Sequence, residues 1–194
     1  MTQPTFSQHQ QSLHDAFFTD PDQELLDFLR SEREEQRDEQ RAQLASIAGV
    51  HDPKVLETLQ RAGITPASMA AFTLLPLVRL AWADESVQDN EDDFILRVAT
   101  EDGIQYGTPS YRLLSKWLEV RPSEKMINAW SSYAQSLARE LDDATYCSVV
   151  EATLGRAKRV AEASGGFLGL GKKVSENEQL VLNDLTHALS RPGS

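Results

Sequence analysis

Two acidic pentapeptides of similar sequence each stand ahead of an apolar helical pattern in this chain. VQDNE occupies residues 87–91, and VSENE occupies residues 174–178. The positions that match between the two copies are Ala81/Ala161, Ala83/Ala163, Val87/Val174, Asn90/Asn177, Glu91/Glu178, Phe94/Val181, Ile95/Leu182 and Val98/Leu185. Two similar helix–loop–helix units predict a pseudo-symmetric bundle, because each unit needs the other to bury its apolar stripe.

Helix-start signals and apolar periodicity predict an all-α protein. Asp20-Pro21, Asp52-Pro53, Thr65-Pro66 and Thr108-Pro109 each place a capping side chain before a proline, which suits the first helical position. No stretch alternates between apolar and polar residues as a strand would. Whether a long segment at 123–163 breaks at Asp142-Asp143 stays open. The predicted helices are 21–48, 53–62, 66–83, 89–102, 109–118, 123–141, 144–163 and 175–190.

The N-terminal residues differ in composition from the rest of the chain. DQELLDFLR at 22–30 carries apolar residues, whereas SEREEQRDEQR at 31–41 is polar on every side. A helix that is polar all round either bridges solvent or is not firmly ordered. We therefore predict a charged helical arm at 1–50, a compact bundle at 51–190 and a short tail at 191–194.

Charge and composition restrict the partners that this chain can have. The formal net charge is −11, from 30 acidic and 19 basic residues, which argues against nucleic acid and anionic lipid and favours small cations or basic partners. The single cysteine, Cys147, cannot form an internal disulfide, and its sequence context predicts a buried position. The N-terminus shows no signal peptide, and the longest apolar stretch, at 69–83, is too short to span a bilayer. We expect a soluble cytoplasmic protein.

The first pentapeptide belongs to an acidic loop at residues 84–93 that could hold a divalent cation. It contains six acids and no base, and Ca²⁺, Mg²⁺ and Mn²⁺ prefer carboxylate oxygens. The second copy is a weaker candidate, because Lys172 and Lys173 offset its acids and Ser164 stands where the first copy has an aspartate. The candidate metal ligands are Asp84, Asp89, Glu91 and Asp92 in the first copy, with Glu176 and Glu178 in the second.

Helix capping explains the same acids without any metal. Asp89-x-x-Asp92 and Ser175-x-x-Glu178 both have the spacing of a capping box. Acids in a first helical turn also gain about 0.3–1 kcal/mol each from the helix dipole. An EF-hand is excluded, because counting from Asp84 places Asp89 where that loop needs glycine. Capping alone and capping with a cation site both remain open.

The stretch LLPLVRLAWADESVQDNEDDFIL at residues 74–96 resembles the tellurite-resistance TerB-like family. Members of that family carry an Ala-x-Ala-Asp-Gly stretch, an apolar residue and then a glutamate that opens the next helix. Asp84, Val87 and Glu91 fit this motif, whereas Glu85 stands at the position of its glycine. The resemblance covers about residues 66–190. It implies a compact α-helical bundle with internal two-fold character, acids that bind divalent metal, and a role in bacterial stress or tellurite resistance.

The sequence contains no set of residues typical of catalysis. Its four histidines are scattered, and Cys147 has no adjacent partner. GFLGLGKK at 166–173 lacks both the closing hydroxyl residue and the preceding strand of a P-loop. Its Phe167, Leu168 and Leu170 either pack onto the bundle or contact a partner.

We therefore expect a non-enzymatic TerB-like helical domain that binds a divalent cation through residues 84–93 in a stress-linked assembly. The alternative is an interaction or scaffold module that needs no metal. In that case the charged stretch 31–41 or the glycine-rich loop would contact a protein partner, whose identity the sequence does not reveal.

Overall fold

The computed structural model describes residues 21–164 and 174–191 of the chain. Within these ranges every regular element is helical and no strand is present, so the prediction of an all-α bundle is confirmed. The helices are α1 (Pro21–Ala48), α2 (Pro53–Arg61), a 3₁₀ turn (Pro66–Ser68), α3 (Met69–Thr73), α4 (Leu75–Ala81), α5 (Asp89–Glu101), α6 (Pro109–Glu119), α7 (Glu124–Glu140), α8 (Asp143–Ser164) and α9 (Glu176–Ala188).

The helix starts follow the capping signals in the sequence. The Asp52 carboxylate accepts a hydrogen bond from the N–H of Lys54 at 2.9 Å, and the Thr108 hydroxyl accepts one from the N–H of Tyr111 at 3.2 Å. Both caps precede a proline at the first helical position. Each cap satisfies a backbone donor that has no partner inside its own helix.

The single helix predicted at 66–83 is wrong, because the structure divides this segment into the 3₁₀ turn, α3 and α4. The division falls at Leu74, whose φ of −90° and ψ of 0° depart from helical geometry. Pro76 explains the break, since it has no N–H to donate to the Phe72 carbonyl and its ring would collide with that oxygen. The uncertain segment at 123–163 also breaks, between the end of α7 and the start of α8 at Asp143.

The chain divides into two compact units between Ala42 and Gln43. The described part of the first unit is the N-terminal portion of α1, and its residues 25–40 are all exposed. Polar residues on every side of 31–41 therefore form a solvated helix, which is one of the two outcomes that this composition allows.

The second unit contains the apolar core and includes residues that the sequence analysis assigns to the arm. Leu44 and Val50 are fully buried in it, although the predicted boundary lies near residue 50. The buried Phe72 ring lies 5.8 Å from the ring of Tyr133, whose hydroxyl donates to the Ala48 carbonyl at 2.9 Å. This contact ties α3 and α7 to the last turn of α1.

The two helix–loop–helix units predicted from the pentapeptides interlock. One unit consists of α4 and α5, and the other consists of α8 and α9. Helix α4 packs against both α8 and α9, while α5 packs against α8. The apolar residues that follow each glutamate, including Ile95 and Leu185, are buried at this junction.

The position of Cys147 and the composition of the helices were also predicted from the sequence. The prediction that Cys147 is buried is wrong: it is exposed, one position past the buried Tyr146 on α8. Among residues 21–164 and 174–191, none of the helices combines the length and the apolar composition that crossing a bilayer requires.

Candidate functional site

Each pentapeptide builds the same helix start. In the first copy, the N–H of Gln88 donates to Oε2 of Glu91 at 2.9 Å. In the second copy, the N–H of Ser175 donates to Oε2 of Glu178 at 2.6 Å, and the N–H of Glu178 donates to the Ser175 hydroxyl at 3.1 Å. The predicted box at Ser175 and Glu178 is confirmed, whereas the first box begins at Gln88, one residue before the predicted Asp89.

The two capping glutamates are almost fully buried. Glu91 is 2 % exposed and Glu178 is 3 % exposed, whereas buried glutamates are rare in proteins unless they are paired. The pKa of Glu91 is raised to about 7: burial is the largest cause, the Gln88 N–H lowers the pKa, and the charges of Glu178 and Asp84 raise it. The charges of two further carboxyl groups, Asp84 of the same unit and Glu178 of the other unit, therefore act on Glu91.

Reciprocal hydrogen bonds join the two units at the same place. Oδ1 of Asp84 accepts from the Ser175 hydroxyl at 3.1 Å and from Nδ2 of Asn177 at 3.0 Å. Nδ2 of Asn90 donates to the carbonyl of Ala163, at the end of α8. Asn90 and Asn177 are equivalent positions of the repeat: Asn90 reaches the last turn of α8, and Asn177 reaches Asp84 in the loop that follows α4.

No role was predicted for Asn90 or Asn177 from the sequence, although each pentapeptide contains one of them. The repeated Asn-Glu pair was the available signal. The asparagine of each pair contacts the other copy, and the glutamate of each pair is a buried helix cap.

The other predicted ligands, Asp89, Asp92 and Glu176, are not among the charges that raise the pKa of Glu91. Asp89 and Glu176 are exposed in the first turns of α5 and α9. Burial raises the pKa of Asp92, and the charges of Asp93, Asp89 and Glu119 raise it as well. Oδ1 of Asp92 is buried and has no hydrogen-bond partner among the described residues. Of the predicted set, Asp84 and Glu178 are thus the residues whose charges act on Glu91. The predicted contact residues Phe167, Leu168 and Leu170 lie outside the described residues.

The loop between α4 and α5 places Glu85 in the left-handed region, with φ of +68°. This is the position at which the TerB-like motif carries glycine. A side chain in this conformation costs roughly 1–2 kcal/mol relative to glycine. The loop therefore keeps a backbone conformation that favours glycine while carrying a glutamate.

The arrangement offers carboxylate oxygens to a ligand but not a complete set of metal ligands. In the described part of the chain, no group of three or more His, Cys, Asp or Glu side chains is positioned to hold a metal ion. The N–H of Gln88 donates a hydrogen bond to Oε2 of Glu91. The other carboxylate oxygen of Glu91, Oε1, accepts no hydrogen bond from the described residues. A cation here would need water or backbone oxygens beside the glutamates.

Comparison with known proteins adds no relative: no family model matches the chain, and neither a curated protein sequence nor a solved structure is significantly similar to it. The resemblance to the TerB-like family therefore stays a prediction from the sequence.

The asparagine bridges give a direct test of the junction. Asn90→Ala and Asn177→Ala should each lower the free energy of unfolding by about 1 kcal/mol, because each removes one hydrogen bond between the two units. Asn128→Ala is the matched control, since Asn128 is exposed on α7, and a surface change of this kind should stay within about 0.5 kcal/mol. Urea unfolding of the three variants measures this. Equal stability of all three would contradict the bridging role.

Proposed function

We propose that this chain is a non-enzymatic, TerB-like helical module that binds one divalent cation at the junction of its two helix–loop–helix units. Glu91 and Glu178 are the proposed ligands, and Asp84 is the third carboxylate beside them. One observation carries the proposal: two glutamates, one from each unit, are buried. Glu91 is 2 % exposed and Glu178 is 3 % exposed, and the charge of Glu178 raises the pKa of Glu91.

Elementary electrostatics supports a cation at this position. A buried carboxylate is unfavourable unless a partner compensates its charge, and a second carboxylate nearby makes it more so. The helix-start N–H groups compensate part of each charge. A divalent cation between the two glutamates would neutralise both charges and draw the two units together.

The donor set indicates which ions to expect. Carboxylate oxygens favour hard cations, so Mg²⁺, Mn²⁺ and Ca²⁺ remain the candidates. Because the proposed ligands are two carboxylates, the remaining coordination would fall to water or backbone carbonyls. Mg²⁺ commonly binds through one or two carboxylates in this way. The proposed role in a stress-linked assembly rests on the TerB-like resemblance alone.

Binding of Mn²⁺ to the chelator-treated protein, measured by titration calorimetry, tests the proposal. Wild type should bind one ion, and the Glu91→Gln/Glu178→Gln variant should bind at least about tenfold more weakly, a loss of about 1.4 kcal/mol. The matched control is Asp89→Asn/Glu176→Gln, which removes two exposed first-turn charges from the same two helices. The control should keep the wild-type affinity. An equal loss of Mn²⁺ affinity in both variants would show that the net charge of the protein, and not these two ligands, causes the loss. A lack of Mn²⁺ binding by wild type would refute the site.

A second function, protein interaction without metal, is supported by a separate observation. The N-terminal part of α1 carries large apolar side chains that are exposed to solvent, with Phe28 at 56 % and Leu25 at 54 %. Contiguous exposed apolar surface of this kind is typical of interaction sites. A metal-independent module would keep its partner after removal of divalent ions. The cation proposal does not require that a partner stays bound when the ions are removed.

A further inference from the structure

The exposed apolar side chains of the described chain are concentrated in one short segment of α1. Of the eight large apolar side chains that are exposed within residues 21–164 and 174–191, four lie within residues 25–29. Their exposed fractions are 54 % for Leu25, 48 % for Leu26, 56 % for Phe28 and 39 % for Leu29. Scattered single exposures need no explanation, but four adjacent ones mark an interaction surface.

Helical geometry places these four side chains on one side of α1. At 3.6 residues per turn, positions 25, 26, 28 and 29 span an arc of roughly 160°. The intervening Asp27 lies on the opposite side, where it accepts hydrogen bonds from Arg30 at 3.1 Å and from Gln23 at 3.4 Å. The result is an apolar ridge backed by a hydrogen-bonded polar face.

The charge around the ridge selects among possible occupants. Residues 22–35 contain six acids and two arginines. This excess of negative charge opposes docking on anionic lipid, and it opposes pairing with a second copy of the same segment. Four side chains also cannot supply the area of about 800 Å² per partner that a stable flat interface buries. A groove, by contrast, encloses a ridge on several sides.

We propose that residues 22–35 form a docking helix, which inserts Leu25, Leu26, Phe28 and Leu29 into an apolar groove, rimmed by lysine or arginine, on a protein partner. The anchors at i, i+3 and i+4 have the spacing by which amphipathic helices enter such grooves. The acids on either side of the ridge would meet the basic rim and increase the association rate. This inference does not depend on the cation site.

Site-specific photo-crosslinking in the full chain tests the proposal. Benzophenone-bearing phenylalanine replaces Phe28 in one variant and Gln36 in a control, within the cells that produce the protein. Gln36 is exposed on the same side of α1, about three turns beyond Leu25. We expect a discrete protein adduct at position 28 and none at position 36. The cross-linked peptide of the partner should map to an apolar groove bordered by basic residues.

Binding of the purified partner completes the experiment. The Leu25→Ser/Leu29→Ser variant should weaken binding by at least about tenfold, and raising the salt concentration should weaken wild-type binding further. Both leucines are exposed, so far-ultraviolet circular dichroism and the melting temperature should stay as in wild type. Four crosslinking results would overturn the proposal: an adduct with a second copy, an adduct within the same chain, an adduct outside such a groove, or no adduct. Vesicles of phosphatidylcholine and phosphatidylglycerol should show no binding of wild type. Vesicle binding that Leu25→Ser/Leu29→Ser abolishes would also overturn the proposal and assign the ridge to lipid.

Discussion

In the presence of chelator, Glu91→Gln is expected to raise the free energy of unfolding at pH 8 by up to about 3 kcal/mol relative to wild type. The cause is the buried position of Glu91, where the folded state holds its proton up to a pKa of about 7 instead of 4.5. Glutamine is neutral at every pH and its amide oxygen can still accept the Gln88 N–H. The substitution therefore removes the charge and keeps the cap.

The direction of the pH dependence follows from proton binding. Below pH 4.5 both the folded and the unfolded wild-type protein carry the proton on Glu91, so this group adds no pH dependence. Between pH 4.5 and about 7 the unfolded state loses the proton first, and stability falls as the pH rises. Above pH 7 the full difference remains. Glu91→Gln lacks this fall, so its advantage over wild type should grow from pH 4 to pH 8.

Urea unfolding at pH 4, 6 and 8 measures this difference. Glu176→Gln is the matched control, because it removes a carboxyl group from an exposed first-turn position of α9. The control should follow the wild-type pH profile. Parallel profiles for wild type and Glu91→Gln would show that Glu91 titrates as an ordinary surface glutamate, and the buried carboxyl pair would be wrong.

Phe72→Ala is expected to lower the free energy of unfolding by about 3–5 kcal/mol, the usual range for a buried phenylalanine. Phe72 is 0 % exposed, and its ring contacts that of Tyr133 at a centroid distance of 5.8 Å. Truncation would leave a cavity between α3 and α7 and loosen the support of the hydrogen bond from Tyr133 to Ala48.

Phe28→Ala provides the control for this prediction, because it deletes the same ring from a position that is 56 % exposed. Its effect on urea unfolding should stay within about 0.5 kcal/mol. A loss of less than about 1 kcal/mol for Phe72→Ala would place Phe72 outside the core. A large loss for Phe28→Ala would mean that the ridge on α1 stabilises the fold rather than serving a partner.

Much of the fold was predictable from local signals. Capping residues before proline mark the starts of α2 and α6, and the apolar periodicity identifies the helices that follow them. The break at Leu74 was also encoded, since Pro76 lies inside the segment predicted as one helix. The error came from following apolar periodicity across a residue that cannot donate to the preceding turn.

The site was only partly predictable, because its geometry depends on contacts between distant segments. The acidic loop suggested that neighbouring carboxylates would share one ion. In the structure, Glu91 turns inward to cap its own helix, while the exposed Asp89 in the same turn does not. The charges that act on Glu91 include that of Glu178, which belongs to the other copy. The repeat predicted that the two units pack against each other, but not that Asn90 and Asn177 bond to the opposite unit or that both glutamates are buried.

Thermal unfolding of the chelator-treated protein, with and without Ca²⁺, Mg²⁺ or Mn²⁺, tests directly whether Glu91 and Glu178 bind a divalent cation. An ion that binds only the folded state adds about 2.7 kcal/mol at 100 times its dissociation constant. We predict a saturable rise in the melting temperature of wild type and no such rise in the Glu91→Gln/Glu178→Gln variant. Unchanged melting of wild type with every ion would contradict it and leave the two glutamates as buried helix caps.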